Sequence, residues 1–582
     1  MWRRPGACTI AALLAAWVVR LCKSTSMQGL WGRGGELVKP SRTWHNTLEL
    51  VCSLPCKPFP KTAEPSGYSP DARVSLAIPV RLCHPRQGAP VAWQGDWAGT
   101  YGEHNAMKTL LLNPPSFPRF DGGAGARWPA TREITSFWYP VWLAYPAGMI
   151  PESRLLDAPP HGITPEETIA IASQYDFVTL YTSTVGWQND VRLAEMMKTV
   201  KPALKIAFVG PPVTVQPEEA LQASPAIDFV IRKEIDYPLA EFAAGKSLAE
   251  IAGVSFKHAG KVVHNPPRPP LKDLDALPFA SEVYKRDLDI TKYNIPFLRH
   301  PYLAFYTSRG CPALCTFCLW PQTISGHAWR TRGIANVVAE VRRVQVLFPD
   351  LQELFFDDDT FPWGKRRTLA LCEALQPLQQ TWSCNSRVHT DYETLKAMKE
   401  AGCRLLVVGF ESGDPQILEN IKKGATVEQA RTFMQHCKRL GIVVHGDFII
   451  GLPGETPQTI ERTFQFAKQL DCETIQVSIA HAYPGTEFDA YLQQHQYFTV
   501  DEMSDELGHQ LPAIQYPGLS RAEIVEAVER FYDRYYFRPR IIFRIVRRAL
   551  FNTRERQRLY KEAHAFLRLR AKRKAFVATQ GS

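Results

Sequence analysis

From Lys108 onward the sequence repeats one device, a short continuous apolar run followed by a turn and then a stretch with helical spacing. The runs TLLLNPP, SRLLDAPP, DFVTLYTS, LKIAFVGPP and IDFVIRKEID show no alternation of apolar and polar residues. Both faces of each strand must therefore be covered, which is the condition of a parallel sheet flanked by helices. Between the runs lie helices such as TPEETIAIASQ, where Thr164 caps, Pro165 takes the first helical position and Glu167 follows three residues after the cap. Ligands of such sheets sit at the carboxyl ends of the strands. Here those ends are Asn113-Pro114-Pro115, Thr182-Ser183-Thr184 and Gly210-Pro211-Pro212.

The device stops at the proline-rich HNPPRPPLKDLDALPF and then resumes with YLAFYTS, LQELFFDDD, QTWSCNS, RLLVVGF, GIVVHGDFII and ETIQVSIAHA. The 582-residue chain is too long for one ordinary core, and this break divides it. Residues 107–265 read as a Rossmann-like α/β domain, 266–300 as a linker on the surface, and 301–495 as a second α/β domain. Its six βα units predict a partial (β/α)6 barrel of TIM type, with chemistry at the carboxyl ends of the strands. Residues 496–582 read as a basic helical extension interrupted at Pro539. Residues 1–106 are rich in Trp, Pro and Gly and lack periodicity. The sequence predicts that native translation begins at Met107, where MKTLLLNPPS opens as many α/β domains do.

Composition narrows the function. No run of 18 apolar residues marks a spanning helix. The formal charge of +10 is unevenly placed: fifteen Lys and Arg face only Glu555 and Glu562 between Arg534 and Lys574, so the remainder is slightly acidic. A basic tail on an acidic body predicts a surface-docking segment and no nucleic-acid partner. The 13 cysteines are not spaced as a disulfide scaffold. Three of them, Cys311, Cys315 and Cys318, crowd into SRGCPALCTFCLW directly after a strand. Soft thiolates so spaced reach three corners of one iron–sulfur cube and leave the fourth iron open. The alternative is a zinc knot, which needs four protein ligands, and His327 is the one neighbouring candidate.

This cysteine spacing, with Phe317 before the last thiol, resembles the radical S-adenosylmethionine (SAM) superfamily. The resemblance implies a [4Fe-4S] cluster on Cys311, Cys315 and Cys318, with SAM chelating the open iron and cleaved to a 5′-deoxyadenosyl radical. FFDDDTF is similar to the family's second-strand motif, which implies contacts from Asp357 and Asp358 to the methionine amino group. GFESG, with Glu411 and Ser412, is similar to the fourth-strand motif near ribose and methionine, and GLPGET, with Gly451, to the fifth-strand motif near adenine. PGT at Pro484 to Thr486 completes the order. Arg387 in CNSRVH is a further cofactor contact or a surface ion pair. Cys384 and Cys403 read as core residues.

An α/β domain ahead of such a barrel resembles the cobalamin-binding class, which implies cobalamin near Asn113, Thr182 and Gly210. Asp157 and His161 in LDAPPHG have the wrong separation for the cobalt-ligating motif Asp-x-His-x-x-Gly. The wording of NPPSFPRFDGGAGARWPATREITSFWYPVWLAYPAGM and CLWPQTISGHAWRTR resembles the hopanoid-biosynthesis-associated radical SAM subgroup. That likeness implies contraction of a hopanoid-linked glucosamine to a cyclitol ether, the alternative being a cobalamin-dependent methyltransferase or cyclase acting on a lipid or tetrapyrrole. It implies a hopanoid lipid substrate, an electron donor such as a flavodoxin or ferredoxin, and a cytoplasmic enzyme at the inner face of the membrane. The arginine-rich YYFRPRIIFRIVRRALF reads either as a peripheral membrane contact or as a helix packed on the barrel with its arginines in solvent.

Overall fold

The computed structural model describes residues 107–117, 136–498 and 513–551; the expectation about residues 1–106 lies outside them. The first domain is a seven-stranded sheet of order β2-β1-β3-β4-β5-β6-β7. Strands β1 (Thr109–Asn113), β2 (Ser153–Asp157), β3 (Phe177–Tyr181), β4 (Lys205–Val209) and β5 (Phe229–Ile231) are parallel. They are the five runs read from the sequence. The periodic reading missed β6 (Val254–His258) and β7 (Lys261–His264), an antiparallel hairpin added at the β5 edge. Its two-residue turn, Ala259-Gly260, has φ of 48° and 77°. That geometry normally announces itself as Asn-Gly or Asp-Gly, and alanine concealed it.

The second domain is a six-stranded, wholly parallel sheet of order β15-β14-β13-β12-β11-β8, the partial barrel that was expected. Its strands are β8 (Tyr302–Phe305), β11 (Glu353–Phe356), β12 (Trp382–Ser386), β13 (Cys403–Glu411), β14 (Val443–Ile450) and β15 (Thr474–Ile479). Between β8 and β11 a two-residue antiparallel pair, β9 (Ser308–Arg309) with β10 (Arg330–Thr331), closes the base of the cysteine loop.

The segment 266–300 corrects the expectation of a surface linker. It carries helix Ala280–Asp287, and Tyr284 and Tyr293 are fully buried. Tyr139 stacks on Tyr293 with centroids 3.9 Å apart and meets Tyr302 edge-on. Tyr284 Oη donates to the Ala304 carbonyl of β8 at 3.1 Å. The prolines break every period, yet the aromatics beyond them are the packing surface between the sheets. Helix α1 (Val141–Met149) lies in the same layer with eight of its nine residues buried, and a Cβ on Gly148 would stand 2.6 Å from Pro278. Glycine there lets the segment cross.

Past the barrel, α2 (Arg521–Tyr536) covers the open edge of β15. Val477 N–H donates to Tyr532 Oη (2.7 Å) and Ile475 N–H to Tyr536 Oη (2.9 Å). The hydroxyls donate back to the same residues' carbonyls. Helix α3 (Pro539–Phe551) starts at the predicted break. Arg538, Arg540 and Arg544 turn toward Asp471, and Arg544 also toward Glu473. Arg538 and Arg544 therefore face the barrel, whereas Arg540 reaches Asp471 from the solvent side with its side chain 82% exposed, and Phe543 is 70% exposed. Among the described residues no helix is long and apolar enough to cross a membrane.

Candidate active site

The loop from Gly310 to Trp329 is built to hold its three cysteines in place. Gly310 has φ of 89°, and a Cβ there would strike the Ala328 carbonyl at 2.2 Å, so only glycine lets the loop close over its own base. Cys311 N–H donates to Gly326 O at 3.2 Å. Gln322 Nε2 lies within 3.2 Å of the carbonyls of Cys315, Thr316 and Cys318, and Gln322 Oε1 accepts from Glu487 N–H at 2.8 Å. One amide thus gathers the loop carbonyls and pins them to the loop after β15. Sequence reading passed over Gln322, whose only signal was its position four residues beyond Cys318.

Burial pushes the thiols of Cys311 and Cys318 up. Bare thiolates are therefore disfavoured here and require cationic partners. Among the described residues no three His, Cys, Asp or Glu side chains converge as ligands of a single ion, so the fit to a cluster rests on the donor set. It is three soft ligands on one fixed loop, with Arg387 Nη1 3.6 Å from Cys315 Sγ. His327 directs Nδ1 to the Cys311 carbonyl at 3.0 Å. Phe317 is half-buried against the core beside the cysteines.

Around this loop stand the other predicted residues. Asp358, fully buried, accepts at 2.6 Å from Thr307 N–H, Thr307 Oγ1 and Ser308 Oγ. Both its oxygens accept bonds that tie β11 to the end of β8. Asp357 is buried at the end of β11. Glu411 sits at φ 64°, where the register of β13 against β14 shifts, and pairs with buried Lys423 at 2.7 Å. A Cβ on Gly409 would meet the Glu411 carboxylate at 2.2 Å. Ser412, 0% exposed, bonds Thr463 Oγ1 and accepts from Asp414 N–H, so it shapes the turn. Gly451 has φ of 98° and donates its N–H to Glu455, whose carboxyl burial pushes up to about 8. After β15, His481 and Tyr483 lie with ring centroids 4.8 Å apart, and burial takes the imidazole down to about 4 and the phenol up to about 12. Both are neutral near neutral pH. Neither carried a sequence signal, because lone aromatics at strand ends are common.

In the first domain Asn113, Thr182 and Gly210 occupy neighbouring strand ends. Asn113 donates to Asp157 Oδ1 at 2.6 Å, and Tyr293 Oη donates to Asp157 Oδ2 at 2.6 Å. Burial holds the carboxyls of Asp157 and Asp190 up to about 7. Gly210 has φ of 125°, and a Cβ on it would stand 2.2 Å from the Thr182 carbonyl. These residues spend their polar groups within the sheet edge. His161 is engaged at both ring nitrogens, by the Asp157 carbonyl (2.8 Å) and Asp289 N–H (3.0 Å). Neither nitrogen is left for cobalt.

The two carboxyl-end rims meet. The loop after β4, Pro211–Val215, packs on the turn Pro321–Ser325 that follows the cysteines, and a Cβ on Gly485 of PGT would strike Val215 at 2.2 Å. Arg309, two residues before Cys311, binds Asp236 with both terminal nitrogens (2.7 and 3.0 Å), neighbours Glu234 and stacks over Trp142 and Tyr145. Arg330 at the other end of the loop binds Glu234. The cysteine loop is thereby bolted to the first domain at both ends.

The Radical SAM superfamily model matches residues 305–467, and the B12 binding domain model matches residues 127–243. An uncharacterized methyltransferase of Pyrococcus horikoshii is 30% identical over 459 residues, covering 75% of this chain and 94% of that protein. The anaerobic magnesium-protoporphyrin IX monomethyl ester cyclase of Rubrivivax gelatinosus is 24% identical over 452 residues, 74% of this chain and 77% of the cyclase. Among solved structures, the cobalamin-dependent SAM radical enzyme OxsB aligns with a TM-score of 0.59 at 18% identity, over 80% of this chain and 72% of that one. The radical SAM methyltransferase TsrM of Kitasatospora setae aligns with a TM-score of 0.57 at 16% identity, over 74% and 89%. The chain belongs to the radical SAM superfamily, in the arrangement that sets a B12-binding domain before the barrel. It is an enzyme whose cofactors are a [4Fe-4S] cluster, SAM and cobalamin.

Proposed function

We propose that the chain is a cobalamin-dependent methyltransferase or cyclase acting on a lipid or tetrapyrrole carbon. The observation that carries this reading is the direct packing of the loop after β4 on the cysteine loop and on PGT, which makes one reaction space of two rims. When bound, the cluster and SAM supply a hydrogen-abstracting 5′-deoxyadenosyl radical, and cobalamin supplies a methyl carrier or a second reactive centre. The chain's own residues do the rest. Cys311, Cys315 and Cys318 bind, Gln322 orients their loop, the Lys423–Glu411 pair lines the fourth-strand turn, and Arg309 fixes the loop against the first domain. The methyltransferase and cyclase names of the relatives support the same reading.

A second reading is favoured by a separate contact. Trp142 stacks on Trp320 with planes 11° apart, and these tryptophans come from the two stretches whose wording resembles the hopanoid subgroup. That subgroup's activity is bacteriohopanetetrol cyclitol ether synthase, a ring contraction fed by a flavodoxin- or ferredoxin-type donor. The readings part on products. Anaerobically reconstituted protein is incubated with SAM, cobalamin, a reductant and bacteriohopanetetrol glucosamine, and nucleosides and lipids are read by mass spectrometry. A methylated lipid with both S-adenosylhomocysteine and 5′-deoxyadenosine supports methyl transfer, and a cyclitol ether with 5′-deoxyadenosine alone supports contraction. Absence of 5′-deoxyadenosine with any substrate class would sink both.

A further inference from the structure

We infer that Arg387 sets the reduction potential of the cluster by donating directly to a ligand sulfur. The inference rests on the reading of the three thiols as cluster ligands. Arg387 follows β12, the third barrel strand, and its Nη1 stands 3.6 Å from Cys315 Sγ, within the range of an N–H···S bond. Its Nη2 donates to the Lys423 carbonyl, so the planar guanidinium is held from two sides and cannot swing away.

The charge balance around it points the same way. Lys423, a second cation acting on Cys318, is paired with Glu411 at 2.7 Å. Among the described residues no carboxylate forms an ion pair with Arg387, and its Nε is buried with no hydrogen-bond partner. The Glu411 carboxylate, already bonded to Lys423, feels the Arg387 charge without bonding it, and a half-buried guanidinium with no directly bonded carboxylate is costly unless another anion stands beside it. The anion its geometry selects is the thiolate set of Cys315 and its neighbours. One group opposes it. Asp359, which accepts from Ser325 Oγ at 2.9 Å, is close enough to Cys311 and Cys318 to help push both thiols up.

Each electron added to a cluster makes it more negative, so a cation and an N–H donor at a ligand sulfur favour the reduced form and raise the potential. Arg387 therefore acts through Cys315 as a positioning residue and makes the cluster easier to reduce before SAM arrives. A role confined to gripping the SAM carboxylate makes a different forecast, because it changes SAM affinity and leaves the SAM-free potential where it was.

The test uses the full chain with its cluster reconstituted, first confirming iron and sulfide content and the cluster absorption band. If the unaltered protein holds no cluster, the reading of the thiols fails. The SAM-free midpoint potential is then measured by dye-mediated titration followed by electron paramagnetic resonance. Arg387→Met should shift it to a more negative value, and Arg387→Lys, which keeps the charge and loses the fork, should fall between. An unchanged SAM-free potential in Arg387→Met at full iron content overturns the inference, even if SAM binding weakens. Should Arg387→Met fail to retain the cluster, Arg387→Lys decides: a negative shift upholds the inference and an unchanged potential ends it.

Discussion

Neighbouring residues in one motif divide their work. In FFDDDTF the carboxylate of Asp358 is consumed by Thr307 and Ser308, and Asp359 reaches Ser325. The cysteines divide just as sharply. Cys311→Ala, Cys315→Ala and Cys318→Ala should each abolish the cluster absorption and 5′-deoxyadenosine formation, since an under-ligated cube is labile. Cys372, Cys437 and Cys472 are buried in the apolar core, so Ser there should leave iron content intact at a cost of about 1–3 kcal/mol in denaturant unfolding. Glu455 gives a pH signature. The folded protein holds its proton to about 8, whereas an ordinary glutamate releases it near 4.5. The unfolded chain thus binds fewer protons between those values, and stability falls as pH rises from about 4.5 to about 8 and levels above. Asp157 and Asp190, held up to about 7, add the same sign over the lower part of that window. Glu455→Gln should therefore flatten the fall in urea midpoint between pH 5 and 8 without removing it, an effect on the order of a few kcal/mol. An unaltered slope would refute this assignment. Motif order made the position of these residues legible in the sequence. The direction of each side chain was not, because Asp358 and Ser412 turn toward partners 50 and 51 residues away in the chain.

The strands were legible for a similar reason and to a similar limit. Parallel strands buried on both faces must be apolar throughout, so β1 to β5 and the six barrel strands declared themselves. The β6–β7 hairpin, half exposed and turned by Ala259-Gly260, did not. An open parallel barrel also has an edge, and its unpaired N–H and C=O groups need covering. Tyr532 and Tyr536 lie four residues apart, on one face of α2, and each hydroxyl serves one residue of β15 as acceptor and donor. Tyr532→Phe should leave Val477 unpaired, and Tyr536→Phe should do the same for Ile475. Each should cost about 1–3 kcal/mol, with faster hydrogen exchange at that amide and little change at β13. Equal acceleration across all six strands would mean the tyrosines only add to global stability.

Two charge clusters decide how the parts are joined. Arg309 and Asp236 are each 2% exposed or less and bind in a fork. Asp236→Ala leaves a buried guanidinium with only the more distant Glu234, 3.7 Å away, and should cost about 3–5 kcal/mol. At the other end, Asp471 and Glu473 draw Arg538 and Arg544 onto the barrel and so fix the rotation of α3, while Arg540 stays in solvent. With Arg538 and Arg544 turned in, Ile541 is buried while Phe543 and Ile545 point outward, 70% and 37% exposed. Beyond Ile545 the chain carries eleven further Lys and Arg against two Glu up to Lys574. Apolar side chains beside a dense basic segment suit the headgroup layer of an anionic bilayer, where each basic residue contributes about 1 kcal/mol. The full chain should therefore sediment with vesicles containing phosphatidylglycerol and not with phosphatidylcholine alone, and should be released as salt shortens screening to about 3 Å at 1 M. Phe543→Asp should weaken binding several-fold with unfolding unchanged, because that side chain packs against nothing in the core. If Phe543→Asp binds as tightly as the unaltered chain, and deleting residues from Arg538 onward unfolds the barrel, α3 serves only to brace β15 and the membrane reading falls.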